Sequence, residues 1–311
     1  AYILIQVLVE FHAKSCHSPA MSPRDQLFHT GSYAGAGQPG IHLVRLEPET
    51  GRLHLAGAWV AGPNPSFLVH GRQGTLLAAV NECGDWPCES GGISLFSIDE
   101  AGALSPTGSC SSLGRDPCHL MFDSSGTSLV AANYSGGGCA VTPVDTQGRP
   151  GLPLPLHPRD FCPGLARTMS PHAHAVLPSP CGRWVLSCDL GLDRVFVHKF
   201  STEGESLVFH SMASLPTGHG PRHGAFHPGG RLLYVVNEYD SSVSLLDWDS
   251  AKGQLSWRSD VPTLPPGWDG TNTCAEIAVH PGGGLVYASN RGHDSIAVLR
   301  ADGQGGLSLL T

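Results

Sequence analysis

Charged side chains are scarce in this chain of 311 residues: they make up only 14% of it, and the formal net charge is −8. A protein that holds nucleic acid by its phosphates needs a basic face, so this balance argues against a nucleic-acid partner. Long apolar runs are missing as well. The run YILIQVLV near the start has eight residues, which is too short to span a bilayer, so we expect no membrane partner.

The ten cysteines are scattered, and no two of them form a CxxC pair. Cysteine-based zinc sites and thioredoxin-like redox motifs depend on that spacing, so neither class of site is indicated. A hydrophobic content of 41% can build a large core that does not require disulfides. We therefore expect reduced, mostly buried thiols and a location in the cytosol.

Convincing helical stretches are also lacking, whereas Gly (40 residues) and Pro (25 residues) are abundant. In their place, a phrase of 18 residues recurs five times. In each copy an apolar segment leads into a turn, and a second apolar segment then ends in a polar residue, which is the pattern of a hairpin. The copies are PSFLVHGRQGTLLAAVNE (65–82), PCHLMFDSSGTSLVAANY (117–134), AHAVLPSPCGRWVLSCDL (173–190), PRHGAFHPGGRLLYVVNE (221–238) and CAEIAVHPGGGLVYASNR (274–291).

The phrases start 52, 56, 48 and 53 residues apart. A repeat of this size indicates an array of supersecondary units. Each period also holds two more alternating segments, such as GGISLFSID (91–99) and SVSLLDWD (242–249). Four strands per period predict an all-β protein, a β-propeller with four-stranded blades.

The two ends of the chain depart from the repeat. Residues 1–20 carry none of its pattern, so we predict a leader there that is disordered or not native, followed by the propeller over 21–311. The strand LFHTGSY (27–33) matches the second half of a phrase that has no first half. We count six blades in whole or in part and expect a seven-bladed propeller that lacks roughly one C-terminal blade.

Aligning the phrases isolates two columns that vary in polarity instead of repeating an apolar residue. Because repeats superpose, each column should form a ring around the axis of the propeller, where small molecules find a polar, concave site. The first column lies in the first strand and contains Ser66, Cys118, His174, Arg222 and Ala275. The second lies at the end of the second strand and contains Glu82, Tyr134, Leu190, Glu238 and Arg291.

Four of these residues predict a site for chemistry on a small anionic substrate. Arg222 and Arg291 carry permanent positive charge in a fork that suits carboxylate or phosphate, and they are the predicted substrate-binding residues. His174 and Glu238 are the predicted catalytic residues, since one can take a proton from water and the other can give one to a leaving oxygen. His223 lies beside Arg222 and is added to the substrate-binding set as a supporting residue.

Each of these assignments has a simpler alternative. His174 could be a strand histidine that is hydrogen-bonded locally, and Glu238 could serve only as an ion-pair bridge to Arg222 or Arg291. His172 and His174 share a strand face and, with Glu238, could form a zinc set. Two neighbouring arginines would repel a cation, however, so we predict neither a metal nor a cofactor.

Other polar positions are assigned structural roles or a place near the site. One further column contains asparagine in four phrases and aspartate in the fifth, and this recurrence indicates a structural role in turns at strand ends. Its residues are Asn81, Asn133, Asp189, Asn237 and Asn290. Glu82 and His119 are predicted to line a channel. A propeller that only binds proteins would carry exposed aromatic residues on its rim, and the sequence does not indicate them.

Several long motifs resemble the lactonase-type seven-bladed propellers, the cycloisomerase 2 family, which includes bacterial 6-phosphogluconolactonase and the fungal carboxy-cis,cis-muconate cyclase. The motifs on which this resemblance rests are TGSY (30–33), PNPSFL (63–68), VNE (80–82), ANYSGG (132–137), PHAHAV (171–176), DLGLDRV (189–195), GPRHGAFHPGGRLLYVVNE (220–238) and SNRGHDSIAV (289–298).

This resemblance implies a lactonase of the pentose phosphate route that hydrolyses 6-phosphogluconolactone. The family's site residues fall on His174, Arg222, Glu238 and Arg291. A cycloisomerase acting on a muconate-like diacid is one alternative, because two arginines could bind its two carboxylates. A non-catalytic propeller scaffold is the other alternative.

Overall fold

A computed structural model describes residues 6–11, 26–86, 90–162, 169–201 and 206–311. The chain divides into two compact units, Ala1–Pro155 and Leu156–Thr311. Every sheet that the structure describes has four antiparallel strands, and each strand of a sheet pairs with the next one along the chain. This simple up-and-down order is that of a propeller blade.

Three sheets are formed in the first part of the chain. A short 3₁₀ turn, Arg72–Gly74, joins two strands of the second sheet. The first sheet comprises β1 (Gln6–Phe11), β2 (Gln26–Gly31), β3 (Ile41–Glu47) and β4 (Arg52–Trp59); the second comprises β5 (Leu68–Gly71), β6 (Leu76–Trp86), β7 (Ser90–Ile98) and β8 (Leu104–Ser111); the third comprises β9 (Pro117–Phe122), β10 (Ser128–Asn133), β11 (Gly138–Pro143) and β12 (Leu154–Leu156).

The second unit also has three sheets, preceded by a single helical turn, α1 (Pro158–Phe161). The fourth sheet comprises β13 (Ala173–Pro178), β14 (Val185–Asp189), β15 (Arg194–Phe200) and β16 (Leu207–Ser214); the fifth comprises β17 (Pro221–Phe226), β18 (Leu232–Asn237), β19 (Ser242–Asp249) and β20 (Gln254–Pro262); the sixth comprises β21 (Thr273–Val279), β22 (Leu285–Arg291), β23 (Ser295–Ala301) and β24 (Leu307–Leu309).

The prediction of an all-β propeller with four-stranded blades is confirmed. Each of the five phrases forms two paired strands, and SVSLLDWD is strand β19 itself. The predicted count of six blades matches the six sheets that the structure describes.

Strand β18 shows why the apolar segments of the phrases are continuous rather than alternating. All six of its residues are buried. Leu233 and Val235 pack into a core with the fourth sheet, whereas Tyr234 and Val236 pack into a core with the sixth. A strand buried on both faces is apolar along most of its length, and β18 is apolar from Leu232 to Val236.

The start of the chain differs from the expectation. Gln6–Phe11 lies within the predicted leader, yet it forms strand β1 and pairs antiparallel with β2, with Phe11 opposite Leu27. The segment QVLVEF is rich in apolar and β-branched residues that favour strands, and it supplies a partner for LFHTGSY. The rest of residues 1–20 lies outside the described residues, as does Met21.

Two further expectations concern thiols and helices. Eight cysteines lie in the described residues, where no disulfide joins any two of them, and four of the eight are buried; Cys16 and Cys88 lie outside those residues. Among the helices that the described ranges contain, none has the length and apolarity to cross a membrane.

Candidate functional site

β-Bulges occur at several positions of the first variable column. Pairing shifts between Ala173 and Ala175, which places His174 at a bulge. It shifts again between Pro221 and His223, at Arg222. A bulge adds one residue to a strand and turns its side chain away from the regular alternation. A β-bulge therefore orients the side chains of both His174 and Arg222 away from the regular alternation along their strands.

Arg222, Glu238 and Arg291 meet in one ion-paired group. The Nε of Arg222 lies 3.0 Å from Oε2 of Glu238, and Nη2 of Arg291 lies 2.8 Å from Oε1 of the same carboxylate. The Arg222 side chain is 8% exposed, Glu238 18% and Arg291 33%. Each carboxylate oxygen of Glu238 thus pairs with one guanidinium. The ion-pair bridge, which was the simpler alternative role for Glu238, is therefore present.

The bulge at the start of β21 completes the support of both arginines. Pairing there shifts between Cys274 and Ile277. The carbonyl oxygen of Cys274 accepts a hydrogen bond from Nη2 of Arg291 (3.0 Å), and that of Ala275 accepts one from Nη1 of Arg222 (2.7 Å). Main-chain acceptors do not titrate, so they orient the two guanidiniums at any working pH.

The third residue of this bulge, Glu276, was not among the predicted site residues. Its carboxylate oxygens each lie 3.1 Å from Nδ1 of His223, and Nε2 of His223 lies 3.2 Å from Nη1 of Arg222. His223 is also in contact with His174, with ring centroids 5.2 Å apart at an angle of 65°. Burial lowers the pKa of His223, against the opposing effect of Glu276. All the predicted site residues therefore lie in one connected cluster.

Asp189 anchors the segment that leads to His174. Its Oδ1 accepts hydrogen bonds from the main-chain N–H groups of His172 (2.9 Å) and Leu192 (3.1 Å). Its Oδ2 is buried and makes no hydrogen bond within the described ranges. Burial raises the pKa of this carboxyl to about 6. The column was predicted to be structural, and this contact is structural.

The same column holds asparagine in the other four phrases, where an amide nitrogen donates to a neighbouring segment. Asn133 donates to the carbonyl of Ser112 (2.9 Å) and Asn290 to that of Thr263 (3.2 Å). Asn237 donates to the hydroxyls of Ser242 and Ser244. An aspartate cannot make this bond while it is ionised, so Asp189 is the one ionisable member of a structural set.

We expect Asp189→Asn to stabilise the protein at pH 8 and to have little effect on stability at pH 4. The folded-state pKa lies above the ordinary 3.8, so wild-type stability falls as the pH rises from about 4 to about 6. The asparagine does not ionise and escapes this loss, which amounts to roughly 2–3 kcal/mol. Thermal unfolding of both proteins at the two pH values tests this. An equal difference at pH 4 and pH 8 would contradict it.

Two exposed aromatic side chains lie close to members of the cluster in sequence or through one further residue. Tyr239 follows Glu238 directly and is 52% exposed, and Trp268 is 40% exposed. The ring of Trp268 meets that of His293 edge-on, with centroids 4.5 Å apart. His293 is two residues beyond Arg291. The expectation concerned aromatics on the rim of the propeller; these two residues neighbour the site residues in sequence, so that expectation stays a prediction.

The first unit carries its own polar group at the equivalent columns. Glu82 accepts a hydrogen bond from the hydroxyl of Tyr33 (2.9 Å) and another from Ser66. The ring of His119 packs on Phe67, with centroids 3.9 Å apart. Glu82 and His119 are the two residues that were predicted to line a channel, and that role stays a prediction.

A metal set of His172, His174 and Glu238 is not assembled. Across the part of the chain that the structure describes, no three His, Cys, Asp or Glu side chains are grouped in a way that could hold a metal ion. Glu238 is engaged by two arginines instead, and His172 is held through its main chain by Asp189.

Comparison with known proteins matches residues 28–311 to the family described as lactonase, 7-bladed beta-propeller. The 6-phosphogluconolactonase of Bacillus subtilis is 29% identical over 283 residues, covering 89% of this chain and 78% of that protein. The 6-phosphogluconolactonase of Pectobacterium atrosepticum is 34% identical over 218 residues, covering 70% and 62%. The solved structure of a periplasmic gluconolactonase from Pseudomonas aeruginosa is 26% identical, with a TM-score of 0.80 and coverage of 92% and 82%.

The four-stranded blades and the arginine–carboxylate cluster define a β-propeller with a polar, ion-paired group of side chains. The match over 28–311 is more specific: the chain belongs to the lactonase family of seven-bladed β-propellers. The structure describes six such sheets in the chain.

Proposed function

We propose that this protein hydrolyses a sugar lactone, and that 6-phosphogluconolactone is its substrate, giving 6-phosphogluconate. The observation that carries the proposal is the pair of guanidiniums held by Glu238 and by the carbonyls of the β21 bulge. Membership in the lactonase family supports the reaction class, and relatives named 6-phosphogluconolactonase support the substrate.

The arginines keep donors available for a substrate. Nη1 of Arg222 donates to Ala275 and contacts His223, and its Nε donates to Glu238. Nη2 of Arg222 and Nη1 of Arg291 have no hydrogen bond to any residue that the structure describes. These N–H groups can bind the carbonyl oxygen of the lactone or an anionic substituent, since charge-assisted bonds of arginine to oxyanions are strong.

Hydrolysis requires a proton acceptor, and His174 is the proposed one. Water attacks the carbonyl carbon of the lactone while its proton passes to the imidazole of His174. The carbonyl oxygen becomes an oxyanion, which an arginine N–H stabilises. The ring C–O bond then breaks, and the ring oxygen takes the proton back from His174 to become a hydroxyl group. The product is an open-chain hydroxy acid, which ionises at neutral pH.

Glu238 is the second proposed catalytic residue, with a role that includes holding the arginines. His223 stays in the proposed substrate-binding set as a supporting residue beside Arg222. We further propose a cytosolic location and a small anionic substrate as the partner, without a cofactor. The described cysteines form no disulfide with one another, which supports a reducing compartment.

We expect the purified protein to hydrolyse 6-phosphogluconolactone faster than glucono-δ-lactone, after spontaneous hydrolysis is subtracted. Arg222→Ala or Arg291→Ala should lower kcat/KM by about ten- to a hundredfold, because losing a charge-assisted hydrogen bond costs roughly 1.5–3 kcal/mol. Steady-state kinetics on both lactones measures these effects. Arg258→Ala is the matched control, since Arg258 forms an exposed ion pair with Asp247.

Three outcomes would change the assignment. Turnover of glucono-δ-lactone alone would keep the lactonase and reject the phosphorylated substrate. Lactonisation of a muconate-like diacid, without hydrolysis of either sugar lactone, would favour the cycloisomerase. Absence of turnover on all three compounds by a folded protein would favour a binding scaffold.

A further inference from the structure

The pair formed by His223 and Glu276 lies directly behind Arg222. His223 is 1% exposed, and its two ring nitrogens face different partners. Nδ1 lies 3.1 Å from both carboxylate oxygens of Glu276, and Nε2 lies 3.2 Å from Nη1 of Arg222. An imidazole between a carboxylate and a guanidinium has only one protonation state that satisfies both neighbours.

That state follows from the donors and acceptors. A guanidinium nitrogen can only donate, so Nε2 of His223 must accept the hydrogen bond from Arg222 and cannot carry a proton. A carboxylate can only accept, so Nδ1 of His223 must carry the proton that Glu276 receives. His223 is therefore the neutral imidazole with its proton on Nδ1. Its burial, which lowers the pKa of the ring, acts in the same direction.

The consequence for Arg222 is that three of its five N–H groups are fixed by the protein. Nε–H donates to Glu238 at 3.0 Å, and the two Nη1 hydrogens go to the carbonyl of Ala275 at 2.7 Å and to His223 at 3.2 Å. Only the two hydrogens on Nη2 are left without an acceptor among the described residues. The guanidinium group cannot change its orientation without breaking these three hydrogen bonds.

We propose that Glu276 and His223 are positioning residues, which hold the Arg222 guanidinium so that its Nη2 edge is presented to the substrate. This inference rests on the proposed function, in which Arg222 binds the lactone or its anionic group. Glu276 acts through His223, and His223 acts through Arg222. Neither residue needs to touch the substrate.

The bulge of β21 explains how Glu276 reaches this place. In a regular strand, adjacent side chains point to opposite faces, so Ala275 and Glu276 would diverge. Here Cys274 pairs with Asn290 and Ile277 with Ala288, so Ala275 and Glu276 together oppose Ser289. The main-chain N–H of Glu276 donates to the hydroxyl of Ser289 at 2.9 Å. The same bulge then supplies the carbonyl of Ala275 and the carboxylate of Glu276 to the Arg222–His223 pair.

Nitrogen-15 NMR of the histidine-labelled protein tests the protonation state without any substrate. The His223 signals are assigned as those lost in His223→Gln. We expect a protonated Nδ1 and an unprotonated Nε2 from pH 6 to pH 8. A proton on Nε2, or a doubly protonated ring at pH 7, would overturn the proposal whether or not the protein is a lactonase.

Kinetics on an active lactone tests the coupling to Arg222. His223→Leu should lower kcat/KM by about tenfold in the wild-type background and by less than about twofold in an Arg222→Lys background, since residues that act through one group are not additive. His223→Gln should retain more activity than His223→Leu, because its amide oxygen can still accept from Arg222. Glu276→Gln should lower kcat/KM in the wild-type background only.

The controls separate positioning from general stability and from failure of the proposed function. Melting temperatures are measured for every variant, and Asp247→Asn serves as the matched loss of a carboxylate outside the cluster. Equal losses of kcat/KM from His223→Leu in both Arg222 backgrounds would overturn the proposal while leaving the lactonase intact. Absence of lactone turnover in the wild type would reject the proposed function, and the NMR result would then decide the positioning pair alone.

Discussion

Replacing His174 with glutamine should lower kcat by about a hundred- to ten-thousandfold, which is the range for loss of a general acid–base group. The reason is that His174 lies at a bulge of β13 and contacts His223 in the cluster that holds both arginines. Glutamine keeps hydrogen-bonding capacity but cannot take a proton from water at neutral pH. Because substrate binding depends on the arginines, KM should change little.

His198 offers a matched control for this change. It is also a buried histidine of the second unit, and its Nε2 lies 3.1 Å from the hydroxyl of Ser187. Its ring also contacts Phe196 and Phe209, which belong to the same four-stranded sheet as Ser187. His198→Gln should lower the melting temperature and leave kcat near the wild-type value. A folded His174→Gln enzyme with wild-type kcat on every lactone tested would end the assignment of His174 as the proton acceptor.

The hairpins and the variable columns are the parts that the sequence predicts well. Segments such as LLYVVN (232–237) are buried on both faces. Burial on both faces requires a nearly continuous apolar sequence, which is easy to recognise. Arg222 and Arg291 stand out because packing positions repeat between phrases and these two do not. The structure brings both together on Glu238.

Glu276 escaped prediction for a physical reason. Glu276 stands at the same position of its phrase as His223, one residue after the first variable column, and in a regular strand adjacent side chains point to opposite faces. In a regular strand, Glu276 would point away from Ala275. The signal that was available is the charge itself: Glu276 is the only acidic residue within the first strand of any of the five phrases.

Asp189 and β1 show two other limits of sequence reasoning. The column of Asp189 was correctly assigned to structure, but its titration depends on burial and on contacts with His172 and Leu192. Strand β1 was missed because Gln6–Phe11 has no copy elsewhere in the chain. Pairing with β2 is a long-range contact that a local pattern does not encode.

Replacing Glu238 with alanine should lower the free energy of unfolding by roughly 2–4 kcal/mol. Removing one partner of a buried ion pair costs roughly 3–5 kcal/mol, and the exposure of Arg291, at 33% of its side chain, reduces that cost. The change leaves two neighbouring guanidiniums without their shared counter-charge. Chemical denaturation of the variant measures the loss. Asp247→Ala, which removes the exposed partner of Arg258, should cost at most about 1 kcal/mol.

The same variant separates the two roles of Glu238. If the carboxylate holds the arginines, a small anion such as formate can occupy the gap and should raise the melting temperature of Glu238→Ala more than that of the wild type, by mass action on the folded state. Glu238→Gln should then lose both stability and substrate affinity, because its NH₂ group faces a guanidinium. If Glu238 acts only on a proton, Glu238→Gln should keep its stability and its KM and lose kcat alone. Wild-type stability in Glu238→Ala, with no response to formate, would reject the holding role and leave proton transfer as the reason for a glutamate at this position.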